Sequence, residues 1–291
     1  MAGSEASGDE DYKDAVRREW TAAASGWRKW FEVVEAAGAG RVVTGALLER
    51  CRPVPGDVVL DVGSGYGEPG LSAAALVGKE GQVTCLDISG DMLAFAEERA
   101  RDAGLSNVDF IEADTEAVEL EPDHYDVVLS RAALMYASDP QDVVRHLRQA
   151  LRPGGRLAVA VWSTPDKVAF SAPVPVIVEA LNLEPPTGGP GPFALGEPGA
   201  LEDLVRRAGF TDVAAGTALA VYDLPDRDAC TRWLQDCAPP IAELVAGQPA
   251  SVRDDVWSRV TGAWAPFEGD DGHIRLPCTA VWVSGTNPRP T

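Results

Sequence analysis

The sharpest chemical feature of the chain is the segment VLDVGSGYGEPG at 59–70, where Asp61 ends an apolar run and Gly63, Gly65 and Gly67 follow at alternate positions. Glycines at a strand-to-helix turn let backbone N–H groups approach a ligand closely, and the N-terminus of the following helix favours a negatively charged group. Alone, this spacing points to a nucleotide-like ligand, and it also occurs in tight turns that bind nothing. A second acid, Asp87, ends the next apolar run about 20 residues further on, where a carboxylate accepts hydrogen bonds from both hydroxyls of a ribose. Asp87 could instead cap a helix, but Ser89 already supplies that cap. Asp114 and Thr115 end a third run and suit an adenine amino group. Three acids at three consecutive strand ends repel one another unless a ligand brings donors to them, so a common site is expected.

The elements that must position these acids alternate short apolar runs with helical patterns over 57–162, the signature of βαβ units and a parallel sheet covered on both faces. Strands are expected at 58–62, 83–87, 108–114, 125–130 and 156–162. Ser89 caps a helix bearing Met92, Leu93 and Ala96 at helical spacing, with Gly104 at its C-terminal end. A second helix at 140–151 places Val143, Val144, Leu147 and Leu151 on one face before RPGG turns the chain into the fifth strand. Ligands of open α/β sheets bind along the carboxyl edge, where the three acids stand.

Beyond 162 the segment 163–199 is rich in proline and glycine and reads as a long loop with one short helix around 174–183. Helical pattern returns at 197–209 and strand pattern at 210–224. Two helices broken at Pro239-Pro240 and near Pro249 fill 226–267, and a last strand covers 279–285. The expected fold is α/β and doubly wound: a mostly parallel seven-stranded, Rossmann-like sheet with a helical insertion before the last strand. There are no internal repeats. Residues 1–37 read as an acidic, frayed tail followed by N-terminal lid helices. Residues 38–291 form the main domain, divided into a cofactor half (38–162) and a substrate side (163–291).

The set LDVGSGYG, LDIS, EAD, DVVLS and LRPGG, in that order and spacing, resembles the class I S-adenosylmethionine-dependent methyltransferases, close to the ubiquinone/menaquinone-biosynthesis type and related small-molecule enzymes. The resemblance is strong over 54–162 and weak to 286. It implies that S-adenosylmethionine is the cofactor, that Asp61 with Gly63, Ser64 and Gly65 holds its methionine end, and that Asp87 holds the ribose. It further implies that Ile88 and Met92 cover one adenine face, that Asp114 binds the adenine amino group, and that Ser130 and Arg131 lie near the sulfonium.

A nicotinamide-dependent dehydrogenase is the competing reading, since a glycine loop followed by an acid also describes a dinucleotide site. The order G-x-G-x-G opposes it, as does Asp61, which would face a pyrophosphate unfavourably and a methionine ammonium favourably. A protein that binds S-adenosylmethionine and works as a non-methylating cyclase or regulatory module is the other alternative.

Methyl transfer rests on aligning nucleophile, methyl and sulfur, and needs a general base only where the nucleophile must lose a proton. Tyr136 and His273 are the candidates for that role; His124 and His146 read as surface or packing residues, and Glu68 and Glu112 as structural carboxylates at least as readily as catalytic ones. Trp20, Trp27 and Phe31 fall on one helical face near Tyr12, and serve both packing and partial coverage of the site. With Trp162, Phe170, Phe193 and Trp233 they predict a largely apolar pocket for an uncharged or aromatic small-molecule substrate such as a secondary metabolite, an isoprenoid or a quinone-like acceptor. Methylation at O, N or C stays open.

The 45 acids and 25 bases give a net charge of −20, which leaves counterion-release binding to DNA, RNA or anionic membranes little to work with. Five cysteines without a C-x-x-C pair fit a reducing, cytoplasmic setting, and the acidic N-terminus lacks the features of a signal peptide. No apolar run is long enough to span a membrane. No metal is expected, and homo-oligomerisation is left open.

Overall fold

The computed structural model describes residues 2–36, 38–184 and 188–290. In chain order the elements are α1 (Ala2–Lys29), α2 (Ala39–Cys51), β1 (Val58–Val62), α3 (Gly70–Val77), β2 (Gln82–Asp87), α4 (Gly90–Asp102), β3 (Val108–Glu112), β4 (Tyr125–Arg131), α5 (Pro140–Ala150) and β5 (Leu151–Trp162). There follow α6 (Val174–Ala180), α7 (Ala200–Arg207), β6 (Thr211–Leu224), α8 (Arg227–Cys237), α9 (Pro239–Ala246), α10 (Ala250–Ala263) and β7 (Ile274–Thr286).

The strands form one open sheet in the order β3-β2-β1-β4-β5-β7-β6. The β1–β2, β1–β4, β2–β3 and β4–β5 pairs are parallel, and β7 runs antiparallel to both of its neighbours, β5 and β6. Strand order reverses at β1, and the glycine turn leaves β1 beside β4, at the switch point where open α/β sheets bind ligands. The register Asp61↔Cys85 and Leu86↔Ile111 brings the ends of β1, β2 and β3 to one edge. The central strands are apolar and buried on both faces: Val59, Leu60, Val83, Leu86, Val127 and Leu129 are fully excluded from solvent.

Local chemistry sets the boundaries. Ser89 Oγ accepts from the Met92 amide and starts α4, while Gly104, at φ +69°, follows its end. Asp139 Oδ1 accepts from the Asp142 amide ahead of Pro140, and starts α5.

Several elements differ from the sequence reading: β3 stops at Glu112, two residues short of Asp114, and β7 already starts at Ile274. α1 begins at Ala2, so helix runs through the segment expected to fray; continuity with its docked second half extends the hydrogen-bond ladder. β5 starts at Leu151, and Arg152 to Gly155 belong to the strand, with a bulge opposite Tyr125–Val127 that a turn reading could not foresee. The insertion holds three helices, because Pro239 begins α9 at a position where its missing N–H costs nothing and Pro249 precedes α10. Among the described residues, no helix is long and apolar enough to cross a membrane, and no group of three or more His, Cys, Asp or Glu is arranged to hold a metal ion.

Candidate functional site

A cavity of about 350 Å³ lies over the carboxyl edge of the sheet. Its floor is the turn after β1 with Asp87, Ile88 and Met92 beside it, and Thr115, Arg131 and Tyr136 continue along the same edge. Trp162, Phe170 and Phe193 with Tyr222 and Trp233 form one wall, and Lys13, Val16, Trp20 and Trp27 of α1 close the top.

The turn is bare backbone by necessity. A Cβ at Gly63, where φ is +64°, would lie 2.1 Å from Ala133 Cβ; one at Gly65, where φ is +52°, would lie 3.2 Å from Met92 Cε. The Gly63 and Ser64 amides donate to Leu86 O at 2.8 and 3.0 Å, which locks the turn to the end of β2. Asp87 Oδ2 accepts from the Gly65 amide at 2.8 Å and Oδ1 from the Ser89 amide at 2.9 Å. Burial pushes the Asp87 carboxyl up to about 6 against the pull of these amides.

Asp61 is fully buried and does not line the cavity. Its Oδ2 accepts from the Gly70 amide at 2.7 Å, tying the end of β1 to the start of α3, and its Oδ1 has no partner. Burial pushes this carboxyl up to about 7. Ser130 Oγ is likewise buried without a partner, and Ser64 Oγ is buried beside the Cys85 thiol. Ser64 borders the cavity, whereas Ser130 and Gly67 lie behind it.

The Arg131 guanidinium is the centre of a buried cluster that the sequence reading missed. Nη1 donates to Glu35 Oε2 at 2.8 Å, Gly40 O at 2.9 Å and Thr44 Oγ1 at 2.9 Å; Nη2 donates to the Tyr66 hydroxyl at 2.6 Å. Tyr66 in turn donates to Glu35 Oε2 at 3.0 Å. The signals were present: an aromatic residue inside the glycine loop, and a lone acid in the apolar run VVEAA. Glu35 pairs with Arg131 from the π-helical segment Glu32–Ala36, so the region after α1, the glycine turn and the end of β4 share one set of hydrogen bonds.

α1 is fastened along its length. Thr21 Oγ1 lies 3.2 Å from Ser89 Oγ, the Tyr12 hydroxyl donates to Tyr136 O at 2.9 Å, and beyond the helix Trp30 Nε1 donates to Asp236 Oδ2 at 2.7 Å. Lys13 pairs with Glu116 and lies 3.8 Å from Asp114 Oδ1. Asp114 therefore does not line the cavity as expected: it faces Lys13 and accepts from the Glu116 amide at 2.9 Å, while Thr115 and Glu116 border the cavity in its place. Tyr12 spends its hydroxyl on the Tyr136 carbonyl and also stays outside the lining. Trp20, Trp27, Trp162 and Phe193 are in it.

The two candidate bases fare differently. His273 is exposed at the entry of β7, with Nδ1 2.7 Å from Asp223 Oδ1, and does not line the cavity. Tyr136 does line it, but burial pushes its phenol up, so at neutral pH it is a hydrogen-bond donor and not a base.

A family model described as a methyltransferase domain matches residues 53–181. Ubiquinone/menaquinone biosynthesis C-methyltransferases of Shewanella sediminis and Pseudomonas fluorescens are 33% and 35% identical over 120 and 117 residues. These alignments cover 41% and 40% of this chain, and it spans only about half of those relatives' length, 48% and 46%. Among solved structures, phosphoethanolamine N-methyltransferase 2 of Haemonchus contortus matches with a TM-score of 0.51 at 21% identity, over 85% of this chain and 52% of that one. The cyclase SpnF matches with a TM-score of 0.51 at 22% identity, over 86% and 81%. Both share the fold.

Proposed function

We propose that the protein, whose residues 53–181 match a methyltransferase-domain model, transfers the methyl group of S-adenosylmethionine to a small, largely apolar or aromatic acceptor. The observation that carries the reading is the 63–65 turn bonded to Asp87 at the floor of an aromatic-walled cavity.

The residues fit that cofactor. Asp87 borders the cavity and keeps lone pairs for ribose hydroxyls, and the turn offers backbone where no Cβ fits. Ile88 and Met92 give apolar cover to the adenine. Asp61 shapes the turn through Gly70 from behind.

S-adenosylmethionine supplies an activated methyl on a sulfonium, open to in-line displacement. The chain contributes position and dryness. Trp20 and Trp27 of α1 cover the site, and the wall of Trp162, Phe170 and Phe193 orients a flat or apolar acceptor while excluding water. Arg131 is neutralised by Glu35, so the floor does not present an unpaired cation to the sulfonium. Among the described residues no histidine lines the cavity, so no imidazole base is assigned. The acceptor belongs with secondary metabolites, isoprenoids or quinone-like compounds. The cytoplasm is the proposed compartment, supported by five cysteines that are all free thiols.

One second reading is a cofactor-binding cyclase that transfers no methyl group; the structural neighbour SpnF is a cyclase. Incubation with methyl-labelled S-adenosylmethionine and a panel of phenols, amines and enolisable ketones separates the two. S-adenosylhomocysteine and a labelled product are expected. Tight cofactor binding with no turnover across the panel supports the cyclase, and absence of cofactor binding overturns both.

A further inference from the structure

Two arginines flank the glycine turn, and each meets its own acid. The Arg131 guanidinium lies 5.3 Å from the centre of the Tyr66 ring, and that of Arg99 lies 5.8 Å from it. Arg99 Nη2 donates to Glu68 Oε1 at 2.9 Å, and Arg131 Nη1 donates to Glu35 Oε2 at 2.8 Å. The Arg131 and Glu35 side chains keep only 9% and 8% of their surface exposed. With these cations cancelled one for one, the acids left over at the turn are Asp87, which borders the cavity, and Asp61 behind it. The floor therefore carries a surplus of negative charge at pH 8, above the values of about 6 and about 7 to which burial pushes the two carboxyls.

Glu35 keeps that balance from outside the cavity, which it does not line. Without its charge Arg131 would stand uncompensated on the cavity wall, because a guanidinium stays protonated whatever surrounds it. The Arg131 charge reaches past the turn: burial pushes the Asp61 carboxyl up, and the Gly70 amide and then Arg131 pull against that push. Buried charges are screened less than surface ones, so a cation held in a cavity of about 350 Å³ feels a charge on its wall. S-adenosylmethionine, with a sulfonium, an ammonium and a carboxylate, carries one net positive charge. S-adenosylhomocysteine lacks the sulfonium and is neutral overall. The two differ by a methyl group and a charge, and the wall charge acts on the second difference.

We propose that Glu35 is a specificity-determining residue: its carboxylate, bonded to Arg131 and Tyr66, cancels the Arg131 charge and so sets the preference of the site for the charged methyl donor over its neutral product. This rests on the methyl-transfer reading above and adds the residue that governs exchange of product for donor.

The test is calorimetry at pH 8 with S-adenosylmethionine and S-adenosylhomocysteine on the full chain, as wild type, Glu35→Gln, Arg131→Gln and Tyr66→Phe, each checked for cooperative unfolding. Binding of S-adenosylhomocysteine to wild type is measured first; its absence overturns the cofactor reading and the proposal together. Glu35→Gln keeps the size of the side chain and removes its charge. It is expected to lower the preference for S-adenosylmethionine over S-adenosylhomocysteine about threefold to tenfold, and Arg131→Gln should raise that preference by a similar factor. Tyr66→Phe deletes hydrogen bonds within the same cluster without changing its charge, so it should weaken both ligands alike and hold their ratio within about twofold. A ratio in Glu35→Gln that stays within about twofold of wild type overturns the proposal, as does an equal shift in Tyr66→Phe, which would make the effect one of packing. If Glu35→Gln fails to fold, Arg131→Gln decides, and an unchanged ratio there overturns the proposal.

Discussion

Asp87 Oδ2 accepts a hydrogen bond from the Gly65 amide at 2.8 Å, so the acid that ends β2 also fixes the turn that ends β1. Its Oδ1 takes the Ser89 amide at 2.9 Å, immediately before α4. One carboxylate thus organises the turn, the start of a helix and the cavity floor.

The two glycines of that turn should not be equally replaceable. Alanine at either position pays about 1–2 kcal/mol for a left-handed backbone. At Gly63 the added methyl also meets Ala133 Cβ at 2.1 Å, whereas at Gly65 it meets only the mobile end of Met92 at 3.2 Å. Urea unfolding should show Gly63→Ala losing at least about 1 kcal/mol more than Gly65→Ala. Equal losses would mean that the turn is less tightly packed than described.

Arg131 and Glu35 form a pair buried with Tyr66. Arg131→Met strands the Glu35 carboxylate and should cost about 3–5 kcal/mol by chemical denaturation. Arg131→Met with Glu35→Leu should recover a large part of that loss, because no buried charge is left alone. A double variant as unstable as the single one would show that the other partners, Thr44 and Tyr66, carry the cluster.

Asp61 makes stability depend on pH. Its carboxyl is raised from 3.8 to about 7 by burial, so between those values the folded chain keeps a proton that the unfolded chain has released. Stability therefore falls as pH rises through that window. Asp61→Asn still accepts from the Gly70 amide and carries no charge. Its stability relative to wild type should rise by on the order of 2–3 kcal/mol between pH 4.5 and pH 8. A difference that stays constant with pH would place the titration elsewhere.

The cofactor half was legible in the sequence because its signals are local. Apolar runs bounded by acids and glycines mark β1 and β2 to within a residue, and Ser89 and Asp139 announce their helices. What escaped depends on contacts between distant residues. Glu35 and Arg131 are 96 positions apart, and nothing local tells a buried acid from a solvated one. Asp114 lies two residues past the end of β3, and Lys13, more than a hundred residues earlier in the chain, faces it from α1. His273 read as a cavity residue because a loop before a strand can turn either way; Asp223, its neighbour across the β6–β7 pair, holds it at the surface.

On the proposed reading, Asp87 and the glycine turn hold S-adenosylmethionine. Titration calorimetry with S-adenosylhomocysteine on wild type and Asp87→Ala tests it most directly. Binding to wild type and a loss of about 1–3 kcal/mol in the variant are expected, as ribose hydroxyls lose a charged acceptor. Equal affinity in the two proteins, or no binding to wild type, would contradict it.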